Sequence, residues 1–262
     1  MTRVRLHTIE SGEGPPVVVL HGLFGSARNW GSIARRLAAG GRRVIAADLR
    51  NHGDSPHEAH MDYAAMADDV AGLIEELAAG RAAVLGHSMG GKVAMVLALT
   101  RPAVVDRLVV VDIAPVAYRT TSGAYASGLR ALPLRPGMRR VEADALLSAT
   151  VPDAAERAFL LQNLVFDDGG APRWKPNLAA IEEAMPLIAS FPEFPRHARF
   201  DGPVLVVRGE RSGYVRPDHF EATLALFPRA VFVTVPGAGH WVQAEAPEAF
   251  LRAVEPFLAL PA

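Results

Sequence analysis

Residues 81–91 read RAAVLGHSMGG, and this run decides the fold. An apolar stretch, Ala82 to Leu85, feeds Gly86-His87-Ser88-Met89-Gly90, and a helical apolar pattern follows from Lys92 to Leu99. A strand that turns into a helix over so few residues forces the central serine into a strained backbone conformation. The flanking glycines are needed because side chains there would strike neighbouring elements. Such a turn lifts the Ser88 hydroxyl above the end of a sheet, at a helix N-terminus whose free backbone N–H groups stabilise negative charge. Ser88 is therefore the candidate nucleophile, and the N–H of Met89 the first candidate donor to an oxyanion. A glycine-rich turn with a bystander serine is the bland alternative, and the partners described below argue against it.

Outward from this turn, short β-branched runs alternate with helical patterns. Strands are expected at 16–20, 42–47, 81–86, 107–112, 203–208 and 230–235, with an antiparallel edge strand at 3–9. Most of these runs are continuously apolar, as strands covered on both faces require. Trp30, Ile33, Ala34 and Leu37 form one helical stripe, ended by Gly40. Met66, Val70, Leu73, Ile74 and Leu77 form another, with Asp62 as N-cap and Gly80 just past its end. A third spans 246–255, with Pro247 in its first turn. The pattern implies an α/β protein with a mainly parallel sheet flanked by helices. The alternation fails between about Pro115 and Arg199, where amphipathic helical patterns appear without a convincing strand. We expect a core of residues 1–115 and 200–262, with 116–199 inserted as an all-helical cap after the strand ending at Asp112.

Composition narrows the function. Lys plus Arg (27) nearly balances Asp plus Glu (28), so no basic excess supports binding to nucleic acid. Cysteine is absent, which removes disulfides, thiolate metal sites and a cysteine nucleophile, and fits the cytoplasm. The first residues, MTRVRLHTIESGEGPP, lack the apolar core of a secretory signal. The longest apolar stretches, such as Val17 to Leu20, fall far short of a membrane span. Of nine histidines, only His240 lies just past the last expected strand in a glycine-bounded loop, GAGHW at 237–241, from which it can swing over Ser88. His87 adjoins the serine, but its side chain is expected to point away.

With these motifs in order, the sequence resembles the α/β-hydrolase family over nearly its whole length. His21-Gly22-Leu23-Phe24-Gly25, Gly86 to Gly90 and Gly237 to His240 carry the resemblance. DLRNHGDSP (48–56), GHSMGGK (86–92), VDIAPV (111–116) and GAGHW (237–241) look more closely like small bacterial esterases and thioesterases related to mitochondrial α/β-hydrolase-domain proteins. The resemblance implies that Leu23 supplies the second oxyanion N–H, with Phe24 the alternative donor and a wall of the acyl pocket. It implies that His21, Asp48, Arg50, Asn51 and His52 are braces. Much of the family places the acid in a Gly-x-x-Asp pattern; here Gly209-Glu210-Arg211-Ser212 puts a serine there. The closer resemblance therefore points to a relocated acid, Asp112, with Ser212 assisting; Glu210 and, less so, Asp218 stay open. The chemistry implied is acyl transfer to water through a Ser88 acyl-enzyme, without metal or cofactor. The substrate is a small carboxylic ester of short to medium acyl chain, or an acyl-CoA thioester. Carbon–carbon-bond hydrolysis, perhydrolysis or a non-catalytic receptor role are the rivals. Phe159, Leu160, Leu164, Phe166 and Trp174 are the cap residues that would line an acyl site, unless they form the cap's own core.

Overall fold

A computed structural model describes residues 2–78, 80–119, 122–166 and 170–259. Its strands are β1 (Thr8–Ser11), β2 (Pro16–Leu20), β3 (Arg43–Ala47), β4 (Ala82–His87), β5 (Val105–Val111), β6 (Leu164–Val165), β7 (Arg173–Trp174), β8 (Val204–Gly209) and β9 (Ala230–Val235). Seven of them form one sheet in the order β1-β3-β2-β4-β5-β8-β9. Every neighbouring pair is parallel except β1 and β3. The chain leaves β2 toward β3 on one side and returns to β4 on the other. This opens a crevice at the carboxyl ends of β2 and β4, where such sheets bind ligands.

The helices are α1 (Gly31–Ala39), α2 (Tyr63–Leu77), α3 (Met89–Thr100), α4 (Ser122–Ala131), α5 (Arg140–Leu147), α6 (Ala154–Leu161), α7 (Leu178–Ala189), α8 (Phe220–Leu226), α9 (Val242–Glu245) and α10 (Pro247–Ala259). Alternate strand residues feed two cores. Val17, Val19, Leu85, Val109 and Val207 pack on Ile33 and Leu37 of α1 and Phe250 and Val254 of α10. Val18, Leu20, Val84, Val110 and Val206 pack on Met66 and Val70 of α2 and Val93 and Leu97 of α3. Burial on both faces is why these strands read as unbroken apolar runs.

Three expectations need correction. The edge strand is Thr8–Ser11 rather than 3–9, because side chains take the earlier backbone donors. The Val4 N–H donates to Asp69 Oδ1 (2.8 Å) and the His7 N–H to Ser55 Oγ (2.8 Å). The last helix runs to Ala259, through Pro256, rather than ending at 255; the arginines of two neighbouring elements cap its carbonyls, Arg107 at Phe257 (2.9 Å) and Arg42 at Leu258. The segment between β5 and β8 is also not all helix. It contains the antiparallel ribbon β6–β7, pairing Leu164 with Trp174 and Val165 with Arg173. Two-residue strands are too short to show a period.

Candidate active site

Ser88 caps α3 with φ 51° and ψ −118°, in the left-handed half of backbone space. Its N–H donates to the Val111 carbonyl (3.0 Å), tying the turn to β5. The strained turn closes only because its neighbours lack side chains. A Cβ on Gly86 would lie 2.2 Å from the Gly90 carbonyl oxygen, and one on Gly90 would lie 2.5 Å from that of His21. The described non-glycine residues with positive φ are Phe24, Asn51, Ser88 and Asp112, which follow β2, β3, β4 and β5 respectively. Backbone strain gathers around this one crevice.

His240 reaches in from the loop after β9. Its Nε2 lies 3.0 Å from Ser88 Oγ and its Nδ1 lies 2.8 Å from Asp112 Oδ2. With the carboxylate accepting from Nδ1–H, Nε2 is left to accept the serine proton. Glu245 holds the loop, accepting the Gly239 N–H (2.7 Å) and the Trp241 N–H (3.2 Å). His87 Nε2–H donates to the His240 carbonyl (2.9 Å), and the two rings lie 4.7 Å apart. Burial, and then the neighbouring His240, push the His87 imidazole down to about 3, so it works as a neutral donor. Tyr214 stacks on the His240 ring at 4.0 Å and 22°.

Asp112 is fully buried at the end of β5. Three donors surround it: Gly209 N–H on Oδ1 (3.0 Å), with the Ser212 hydroxyl and His240 Nδ1–H on Oδ2. Glu210 is exposed, and its Oε2 accepts the Gly237 N–H (2.8 Å) instead of facing the imidazole. Asp218 is exposed and paired with Arg216 at 2.6 Å.

Two backbone N–H groups lie close to Ser88, that of Met89 as the next residue and that of Leu23 in the lining of the same cavity. Met89 opens α3, so its N–H has no partner within the helix. On the β2 loop, the Phe24 N–H is already taken by His52 Nε2 (3.2 Å), while the Leu23 N–H has no hydrogen bond among the described residues. His52 is held in that role by donating from Nδ1–H to the Arg50 carbonyl (3.0 Å), and burial pushes its pKa down to about 3. His21 is likewise a brace: its Nε2 accepts the Leu49 N–H (3.0 Å), and burial lowers its pKa. Asp48 accepts the N–H groups of Ala27 (2.7 Å) and Asp54 (2.8 Å), and Arg50 forms a buried pair with Asp69 at 2.6 Å.

A cavity of about 580 Å³ contains Ser88 and His240 and is lined by Leu23, Phe24, Phe159 and Leu160. Leu164, Phe166 and Trp174 lie outside its lining. Trp174, offered as a substrate-binding residue, sits in the β6–β7 ribbon and packs against the hydrophobic core instead. The neighbouring segment is bonded to the site: Asn163 Nδ2–H donates to the Phe24 carbonyl (2.7 Å), and Asn29 Nδ2–H to Gln162 Oε1 (3.0 Å). The end of α7 is gripped from below. Tyr63 OH donates to the Ile188 carbonyl (2.6 Å), and the buried Lys92 amine donates to that of Ser190. No motif flagged Tyr214, Asn163 or the role of His87.

A family model described as the alpha/beta hydrolase fold matches residues 15–247. The chain is 44% identical to the mouse (Mus musculus) sn-1-specific diacylglycerol lipase ABHD11, over 94% of this chain and 81% of the relative. It is 36% identical to the esterase YbfF of Escherichia coli K12, over 93% of this chain and 92% of that protein. A solved marine microorganism esterase superposes with a TM-score of 0.93 at 35% identity, covering 97% of this chain and 100% of the other.

Proposed function

Because the chain belongs to the α/β-hydrolase family and is a carboxylic-ester hydrolase, we propose that it works through Ser88, His240 and Asp112, with Ser212 assisting the acid. One observation carries this reading: the unbroken chain from Ser88 Oγ through the His240 ring to the buried Asp112 carboxylate, with links of 3.0 and 2.8 Å. Ser88 Oγ attacks the ester carbonyl while His240 Nε2 takes its proton. The N–H groups of Leu23 and Met89 receive the developing oxyanion. His240 then protonates the leaving alcohol, water enters, and the same groups hydrolyse the acyl-enzyme. Asp112 holds the productive tautomer and stabilises the imidazolium, and the Ser212 hydroxyl shares Oδ2 with it.

Residues 116–199 act as a cap in this proposal, with Phe24, Phe159 and Leu160 walling the acyl side. A cavity of about 580 Å³ suits a small ligand and supports short to medium acyl chains. Acyl-CoA thioesters enter the same chemistry, and a diacylglycerol is suggested by the name of the mouse relative. No described helix is long and apolar enough to cross a membrane, and the cysteine-free sequence suits a reducing cytoplasm. The test is labelling by a fluorophosphonate probe, expected for the wild type and absent in Ser88→Ala. Equal labelling of the variant overturns the nucleophile assignment. Rates that climb steadily to long triglycerides overturn the chain-length assignment.

A further inference from the structure

The cavity around Ser88 is one-sided in its charge. No Lys or Arg is among its described lining residues, yet two carboxylates are, Glu156 and Glu245. Glu245 is occupied: it accepts the Gly239 and Trp241 N–H groups and pairs with Arg211 at 3.2 Å. Glu156 is different. It stands at the third position of α6, where its Oε2 receives the neutral Tyr125 hydroxyl (2.6 Å), and among the described residues no cation pairs with it. Its sequence neighbour Arg157 is engaged by Asp144 at 2.9 Å.

A carboxylate without a cation attracts positive charge and hydrogen-bond donors. We propose that Glu156 is a specificity-determining residue: it favours esters that bring an ammonium or hydroxyl group into the cavity and rejects esters that bring a carboxylate. The proposal rests on the serine-hydrolase reading and adds the substrate class. It needs no contact between Glu156 and the reacting carbonyl, because the selection acts on the remote end of the substrate.

The experiment compares two esters of one shape, butyrylcholine and its uncharged isostere 3,3-dimethylbutyl butyrate. For the wild type, kcat/KM should favour the choline ester by about tenfold, the factor expected of one partly screened charge pair. The preference should shrink as salt rises. Glu156→Gln keeps the length and the bond to Tyr125, and should bring the ratio within about twofold of one. Glu156→Asp keeps the charge and should retain most of the preference. A change confined to packing would move both esters together and leave their ratio alone. A wild-type ratio near one, or a ratio unchanged in Glu156→Gln, overturns the specificity while leaving the hydrolase intact. A wild type that neither hydrolyses the esters nor takes the fluorophosphonate label overturns the serine-hydrolase reading, and this proposal with it.

Discussion

Replacing Asp112 with Asn tests the acid at a position where the structure leaves little freedom. The carboxylate is fully buried and meets donors on both oxygens, Gly209 N–H on Oδ1 and the Ser212 hydroxyl and His240 Nδ1–H on Oδ2. An asparagine amide can answer one side only. With its NH₂ toward His240, the imidazole must carry its proton on Nε2 and can no longer accept from Ser88. With its oxygen toward His240, the NH₂ opposes the Gly209 N–H. In both orientations the charge is lost. Taking about 4 Å between charge centres and an effective dielectric constant of about 20, the anion stabilises the imidazolium by about 4 kcal/mol. Losing it should lower kcat by about 10³, within the range of about 10²–10⁴ expected for such an acid. KM should move little, because the charge forms in the transition state. The assay is kcat and KM on a butyrate ester, with circular dichroism to confirm folding, beside Glu210→Gln. Glu210 is exposed and bonded to the Gly237 N–H, so its variant should stay within about tenfold of wild type. Collapse of Glu210→Gln with Asp112→Asn near wild type refutes the reasoning.

Ser212→Ala removes one donor from the Asp112 carboxylate and should cost about 1–2 kcal/mol, read as a five- to thirtyfold fall in kcat. Gly86→Ala drives a Cβ to 2.2 Å from the Gly90 carbonyl oxygen, and urea unfolding should show a loss of at least about 3 kcal/mol. Burial pushes the Lys92 amine down to about 7, so between that value and its ordinary 10.5 the unfolded chain binds more protons than the folded one. Stability should therefore rise with pH across this window, and Lys92→Met should abolish that rise in urea titrations at pH 7 to 10. Tyr63 and Tyr118, the rings beside the amine, are pushed upward by burial and stay neutral throughout.

What could be read from the sequence was local. The turn at Ser88 shows itself because a strand, two glycines and a helix must all fall within ten residues. The parallel strands are visible because two-sided burial writes continuous apolar runs. His240 stands out by its place after the last strand. The proposed role of Asp112 is harder to read: the hint is a serine at 212 where the family's acid is common, and only the pairing of β5 with β8 brings residues 112 and 212 together. Groups assembled across long sequence distances left no local signal. Tyr214 stacks on His240 from the β8 loop, and Asn163 reaches Phe24 from 139 residues away. Trp174 misled for the converse reason. An aromatic residue in an amphipathic segment looks alike whether it faces a ligand or a core.

The Asn163–Phe24 bond has a consequence for how the enzyme would sort its substrates by size. Phe24 is pinned twice, its N–H to His52 and its carbonyl to Asn163, and the peptide just before it belongs to Leu23. On the proposed role of Leu23, residues 162–163 and the oxyanion donor share one hinge pin. An acyl group too bulky for the cavity would enter only by displacing residues 162–163, and would pull on Leu23 in doing so. Size exclusion in such a device is paid in turnover rather than in affinity. Oversized esters would dock well and react slowly, and a screen that measured binding alone would misjudge them.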